Sequence, residues 1–292
     1  MSVPDQLRFD DRVAIITGAG GGLGRAYARV LAARGARIVA NDIDLKDDAG
    51  HTPAGRLCAE ISAAGGAAVA VDASVADTGA GEAVVRTALD AFGRVDILIN
   101  NAGILRDRSF AKLSEEELHA VHGVHLYGTL AVTKAAWPVL RERGYGRVVL
   151  TTSVAGLFGN AGQANYASAK SAMVGLGRTL AIEGARSGIN VNIVSPGAAT
   201  AMTAKLLPEH LHAAMAPEKV APMVAYLCHE TCSETGEIFF ASGGRYARNL
   251  IVETPGYRNP AATVEDIATH LGTIMDASTW TLPGDSMQLP EL

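Results

Sequence analysis

Short, almost unbroken apolar runs alternate along this chain with longer stretches in which apolar residues return every three or four positions. The runs cover residues 13–16, 38–40, 67–71, 97–99, 148–150, 191–194 and 238–240. A run without a polar face predicts a strand buried on both sides, as in a parallel sheet. The stretches between them predict helices. Leu23, Tyr27, Val30 and Leu31 share one helical face, and Gly35 stops it. Ser114 and Glu117 have capping-box spacing ahead of Leu118 and Val121. Residues 126–143 read as a long helix that Pro138 kinks or ends, and residues 166–186 as another. This alternation predicts one α/β domain: a Rossmann-type, doubly wound parallel sheet of seven strands with helices on both faces.

Two segments break the pattern. Residues 46–55 are a polar insertion after the second strand, expected as a surface loop. Residues 245–292 run past the last strand, with one helical pattern at 264–274. They are expected as a C-terminal extension packed on the domain or on a partner subunit.

Composition narrows the function. With 292 residues, 48% hydrophobic and 19% charged, the chain can bury a large core and is not a disordered sequence. A net charge of −5 counts against a nucleic-acid partner. It leaves room for a phosphate-bearing small molecule, which a glycine-rich loop holds through backbone N–H groups. Cys58, Cys228 and Cys232 are sparse and odd in number, as reduced thiols are. No apolar run reaches the roughly 18 residues of a membrane span. The expectation is a soluble cytoplasmic protein without a membrane partner. Cys228, His229 and Cys232, with His210 and His212, fall short of a closed four-ligand zinc set, so no metal is expected.

The chemistry starts at the first strand. Thr17-Gly18-Ala19-Gly20-Gly21-Gly22-Leu23-Gly24 follows it directly and opens a helix, the context in which such a loop cradles a pyrophosphate. Alone, a glycine-rich turn is a weak signal. Asp42, just past the second strand, is placed to accept hydrogen bonds from an adenosine ribose. It would repel a 2′-phosphate by about 4 kcal/mol at about 4 Å and an effective dielectric near 20, which favours NAD over NADP. Asp44 competes for that role, and a solvated loop acid is the bland alternative. Asp72 is an adenine acceptor or an ordinary strand-end turn residue. Asn100-Asn101-Ala102-Gly103 is a ligand-facing strand end or a plain Asn-rich turn.

Tyr166 and Lys170 lie one helical turn apart on one face. A tyrosine base must titrate near neutrality, about three units below its ordinary value of about 10. A nearby ammonium in a desolvated site supplies an effect of that order. Ser153 follows the fifth strand and can hold a substrate oxygen while Tyr166 exchanges its proton. Taken singly, each has an ordinary alternative: helix decoration for the pair, a turn for the serine.

With the glycine loop, NNAG, Ser153, the run from Tyr166 to Lys170 and Pro196-Gly197 in this order, the chain resembles the short-chain dehydrogenase/reductase family over residues 8–244. The resemblance implies an NAD-binding domain over that span and hydride transfer between NAD(H) and a secondary alcohol or ketone. It implies Tyr166 as acid/base, Lys170 as the group that lowers its pKa and holds the ribose, and Ser153 as the substrate anchor. Gly18, Gly22, Leu23, Gly24, Asp42, Asp72, Asn100, Ala102, Gly103, Pro196, Gly197 and Ala199 are then cofactor contacts. His125 stands where the family usually has a catalytic Asn. The stretches LRFDDRVAIITGAGGGLGRAYA, NNAGILRDRSF, VHLYG, GNAGQANYASAK, LAIEG and LCHETC are similar to the dehydrogenase units of peroxisomal multifunctional enzymes of type 2, which also carry His at that place. That likeness implies oxidation of (3R)-3-hydroxyacyl-CoA, with a steroid dehydrogenase or a 3-oxoacyl-carrier-protein reductase as alternatives within the chemistry. A cofactor-binding sensor without catalysis is the alternative outside it. The family's pairing of long helices across two-fold axes implies a homodimer or homotetramer; whether a separate hydratase supplies the substrate stays open. Arg106, Arg108 and Lys112 are candidates for CoA phosphates or plain solvated charges. Residues 200–215 suit a substrate lid or a packed helix pair.

Overall fold

The computed structural model describes residues 6–204 and 207–284. Among them the strands are β1 (Val13–Thr17), β2 (Arg37–Asp42), β3 (Ala68–Asp72), β4 (Ile97–Asn100), β5 (Gly146–Thr151), β6 (Ile189–Gly197), β7 (Ile238–Ser242) and β8 (Arg245–Asn249). They form one sheet in the order β3-β2-β1-β4-β5-β6-β7-β8. Every pairing from β3 to β7 is parallel. The strands number eight rather than the expected seven. The extra one returns from β7 through Gly243-Gly244, both at positive φ, and a two-residue connection joins antiparallel neighbours. Its polar, half-exposed RYARN lacks the apolar run that revealed the others.

The full burial of β1, β4 and β5 follows from helices on both faces. Ala14 and Ile16 pack with α1 (Gly22–Ala32), α2 (Pro53–Ala63) and α8 (Ala221–Leu227). Val13 and Ile15 point the other way, toward α3 (Ala80–Phe92), α5 (Thr129–Arg143) and α7 (Ala164–Gly184). The chain winds outward from β1 to β3, then crosses back to place β4 beside β1. That reversal opens a crevice at the carboxyl ends of β1 and β4, where α/β sheets bind ligands.

Three expectations need correction. The insertion is a loop only to His51; Thr52 caps α2, and Thr52 and Ala54 are buried. Pro138 neither ends nor splits α5. It sits on the exposed side, as does Lys134 four residues earlier, so water can take the carbonyl that proline leaves unbonded. Among the described residues of 200–215 there is no helix pair, only turns and short 3₁₀ stretches such as Glu209–Leu211.

Contacts divide the chain into two compact units, Met1–Arg248 and Asn249–Leu292. Within the second, α9 (Val264–Ile274) opens on a Thr263–Asp266 capping box. Glu253 and Thr281 exchange backbone hydrogen bonds, and the Tyr257 ring stacks on His270 at 3.9 Å.

At the amino end of the sheet one buried carboxylate ties β1 to β4. Asp96 accepts from the Val13 N–H at 2.9 Å, from Arg94 at 2.6 and 2.7 Å and from Arg12 at 3.4 Å. Asp96→Ala leaves a buried N–H and the Arg94 guanidinium without their acceptor, and Arg12 with Glu230 alone. Denaturant unfolding should show a loss of about 3 kcal/mol; a loss below about 1 kcal/mol would mean the carboxylate is not a structural tie.

Candidate active site

The crevice holds a cavity of about 330 Å³, bordered by the glycine loop, the strand ends and residues 200–203. Gly18 and Gly22 have φ of +64° and +49°, which side chains other than glycine's resist. A methyl group on Gly24 would collide with the Gly18 carbonyl, so Gly24 serves the loop's tight closure rather than the cavity. Gly21 faces open space, with nothing within 4 Å of its would-be Cβ. Asp42 holds the loop from the other side: its Oδ2 accepts from the Gly20 N–H at 2.7 Å. Asn101 Nδ2 donates to the carbonyls of Thr17 and Gly18, at 3.1 and 3.2 Å. Helix α1 has no side-chain N-cap, so its opening N–H groups remain available to an anion.

Ser153 follows β5 and caps the short helix α6 (Val154–Phe158), accepting from the Ala155 N–H at 3.2 Å. Its hydroxyl faces the Tyr166 phenol and acts to lower the phenol's pKa. One turn along α7, Lys170 is buried and donates from Nζ to the Thr151 carbonyl at 2.7 Å, with Nζ 5.9 Å from the Tyr166 ring centre. Gly156 permits the approach of α6 to α7, since a Cβ there would come within 2.7 Å of Lys170 Cβ.

Burial dominates the electrostatics. It lowers the Lys170 amine to about 7. It also raises the Tyr166 phenol above its ordinary 10; the Ser153 hydroxyl opposes that shift and the charge of Asp107 adds to it. The expected pull of Lys170 on the phenol does not outweigh desolvation in the free protein.

His125 lies in a π-helical turn, Gly123–Gly128, between α4 (Glu115–His122) and α5. Its ring meets the Tyr166 ring edge-on at 5.2 Å, and Gly103 leaves space for it. Nε2 lies 3.1 Å from the Ile104 N–H and 2.8 Å from its carbonyl; Nδ1 is buried without a partner. Burial, then the Lys170 charge, lowers its pKa to about 3, so the ring is neutral.

The cavity thus gathers Gly18, Gly22, Leu23, Asp42, Ala102, Gly103, His125, Tyr166, Lys170 and Pro196, with Ser153 joined through Tyr166. Other expected residues lie elsewhere. Asp72 is exposed off the cavity, where Ala73, Ser74 and Val75 line it instead. Asn100 is buried against Thr133, and Gly197 packs on Ser242. Ala199 bonds the Met215 carbonyl through its N–H. Asn41, Asn101, Thr151 and Thr200 line the cavity but were not singled out as cofactor contacts. Only the NNAG motif signalled one of them.

Residues 12–211 match the short chain dehydrogenase model. The chain belongs to the short-chain dehydrogenase family. It is 47% identical over 287 residues to mouse peroxisomal multifunctional enzyme type 2, covering 95% of this chain and 38% of that protein. It is also 47% identical to a putative short-chain type dehydrogenase/reductase of Mycobacterium tuberculosis, covering 92% of this chain and 95% of the relative. The solved structure of full-length peroxisomal multifunctional enzyme type 2 from Drosophila melanogaster superposes with a TM-score of 0.82 at 38% identity, covering 96% of this chain and 48% of that one. The chain therefore spans less than half the length of these multifunctional relatives. The nicotinamide dinucleotide typical of the family fits the residues present: a glycine cradle, uncapped helix N–H groups and the buried, unpartnered Thr151 hydroxyl.

A neutral buried histidine makes stability pH-dependent. Its folded pKa lies below the unfolded value near 6.5, so its contribution is complete above about 6.5 and is lost as pH falls toward 3. Between pH 6.5 and 5, wild type should lose on the order of 1–2 kcal/mol more than His125→Asn in urea unfolding. Equal losses would show that the ring is charged or exposed.

Proposed function

We propose that this chain oxidises (3R)-3-hydroxyacyl-CoA to 3-ketoacyl-CoA with NAD. As a short-chain dehydrogenase it is an oxidoreductase acting on CH–OH groups. The observation that carries the chemistry is the meeting of Ser153, Tyr166 and Lys170 beside the glycine-loop cavity. The substrate rests on the similarity to peroxisomal multifunctional enzyme type 2 and to yeast peroxisomal hydratase-dehydrogenase-epimerase, the latter 49% identical over 249 residues.

The dinucleotide, when bound, supplies the hydride acceptor. The Ser153 hydroxyl holds the substrate oxygen, and the Tyr166 oxygen accepts the alcohol proton. Lys170 holds the ribose hydroxyls, and its charge together with that of the oxidised dinucleotide, when bound, returns the phenol to its base form. Neutral His125 supports the Tyr166 ring and the Ile104 backbone without carrying charge. Asp42 favours NAD, since a 2′-phosphate would meet its carboxylate. Asp72 and Asn100 act at one remove, through the strand ends that they finish. The family's two-fold helix pairing argues for a homodimer or homotetramer. The cytoplasmic placement is part of this proposal, although several relatives are named as peroxisomal enzymes. Among the described residues, no helix is long and apolar enough to cross a membrane.

A 3-oxoacyl-carrier-protein reductase, 39% identical over 242 residues in Synechocystis, represents the competing reading. Rates with NAD and NADP over (3R)- and (3S)-hydroxyacyl-CoA esters, with a steroid alcohol as control, decide between them. The (3R) ester with NAD should be turned over fastest; a preference for NADP would overturn the reading. Tyr166→Phe should lower kcat about 1,000-fold while NADH binding, followed by fluorescence, is retained. Asp42→Ala should narrow the NAD-over-NADP preference in kcat/KM by roughly tenfold or more. An unchanged ratio would remove Asp42 from cofactor choice.

A further inference from the structure

The loop between β4 and α4 carries charges that the chemistry above does not use. Arg106, Arg108 and Lys112 line a groove of about 550 Å³ together with Ser114, Glu116 and Glu117. On a chain of net charge −5, this is a local reversal of sign. Glu117 pairs with Arg108 at 3.0 Å. Among the described residues, Arg106 and Lys112 have no carboxylate within ion-pair reach, and the Arg106 guanidinium bonds only the Leu105 carbonyl, at 2.8 Å. Phe110, on the same 3₁₀ turn as Lys112, is 80% exposed.

The loop is fastened to the start of α7. Asn165, fully buried and next to Tyr166, donates to the Arg106 carbonyl at 2.8 Å. Gln163 donates to Asp107 at 2.8 Å, and the Arg108 N–H donates to the Gly162 carbonyl at 2.8 Å. At its other end, Ile104 lines the cavity. The backbone that carries Arg106 and Arg108 is therefore fixed to the start of the helix that carries Tyr166.

We propose that Arg106, Lys112 and Phe110 bind the phosphorylated adenosine end of a coenzyme A thioester, the two cations meeting its phosphates and the ring stacking on its adenine. This rests on the hydroxyacyl-CoA reading above. Two unpaired cations and an exposed aromatic ring on one short loop match that ligand, since phosphate oxygens take charge-assisted hydrogen bonds and a purine offers a flat π surface.

The test uses the full chain saturated with NAD, so that the dinucleotide cavity is filled. Calorimetry with adenosine 3′,5′-bisphosphate should show binding that weakens as salt rises. Arg106→Ala with Lys112→Ala should weaken it roughly tenfold or more, and Phe110→Ala should weaken it without changing the salt slope. The same variants should raise KM for the hydroxyacyl-CoA ester roughly tenfold. Their kcat, and their KM for the corresponding N-acetylcysteamine thioester, should match wild type. No bisphosphate binding, equal KM increases for both thioesters, or an effect confined to a carrier-protein thioester would each overturn the proposal. Oxidation of neither thioester would defeat the substrate reading, while bisphosphate binding still judges the groove by itself.

Discussion

An amine buried without a carboxylate is the constraint around which this protein is arranged. Lys170 sits inside the first compact unit with one carbonyl, that of Thr151, as its acceptor. Its pKa falls to about 7, so charging it at neutrality costs several kcal/mol of stability relative to the unfolded chain. Such an arrangement persists where function requires it. The surrounding residues serve the placement. The end of β5 supplies the carbonyl, and Thr152 bonds the Lys170 backbone oxygen at 2.6 Å. Gly156 lets α6 close against α7. Tyr166, one turn earlier, is fixed by the same packing, with Ser153 on one side and His125 on another.

The same burial favours the neutral form of three groups. It drives the amine and the imidazole toward neutrality and the phenol away from ionisation. A desolvated pocket is thus prepared to respond strongly to added positive charge, because in low dielectric each charge counts for more. In this account the base is made at the moment of binding, not stored in the free protein.

Much of the fold could be read from the chain because both faces of the sheet are covered. Full burial turns β1, β4 and β5 into apolar runs that no helix face would produce. β8 escaped because an edge strand has one exposed flank and a polar sequence. The start of α2 escaped because Thr52-Pro53-Ala54 looks like loop composition, although Thr52 is an N-cap and Pro53 stands at the first helical position. The motif residues that the fold gathers through their side chains were legible: Ser153, Tyr166 and Lys170, with Asp42 at the glycine loop. Residues acting through their backbone or through packing were harder to place. Gly24 and Asn100 serve the walls rather than the cavity, and Asn101, which staples the glycine loop, is distinguished from its neighbour only in three dimensions.

The central claim is that burial holds the Tyr166 phenol above its ordinary value until positive charge arrives beside Lys170. Ultraviolet difference titration of wild type against Tyr166→Phe isolates that single phenol, first in the free protein and then with NAD bound. The account predicts titration above 10 without the dinucleotide and a clear downward shift with it. A phenol that titrates at the same pH in both states, or already near neutrality in the free protein, would contradict it.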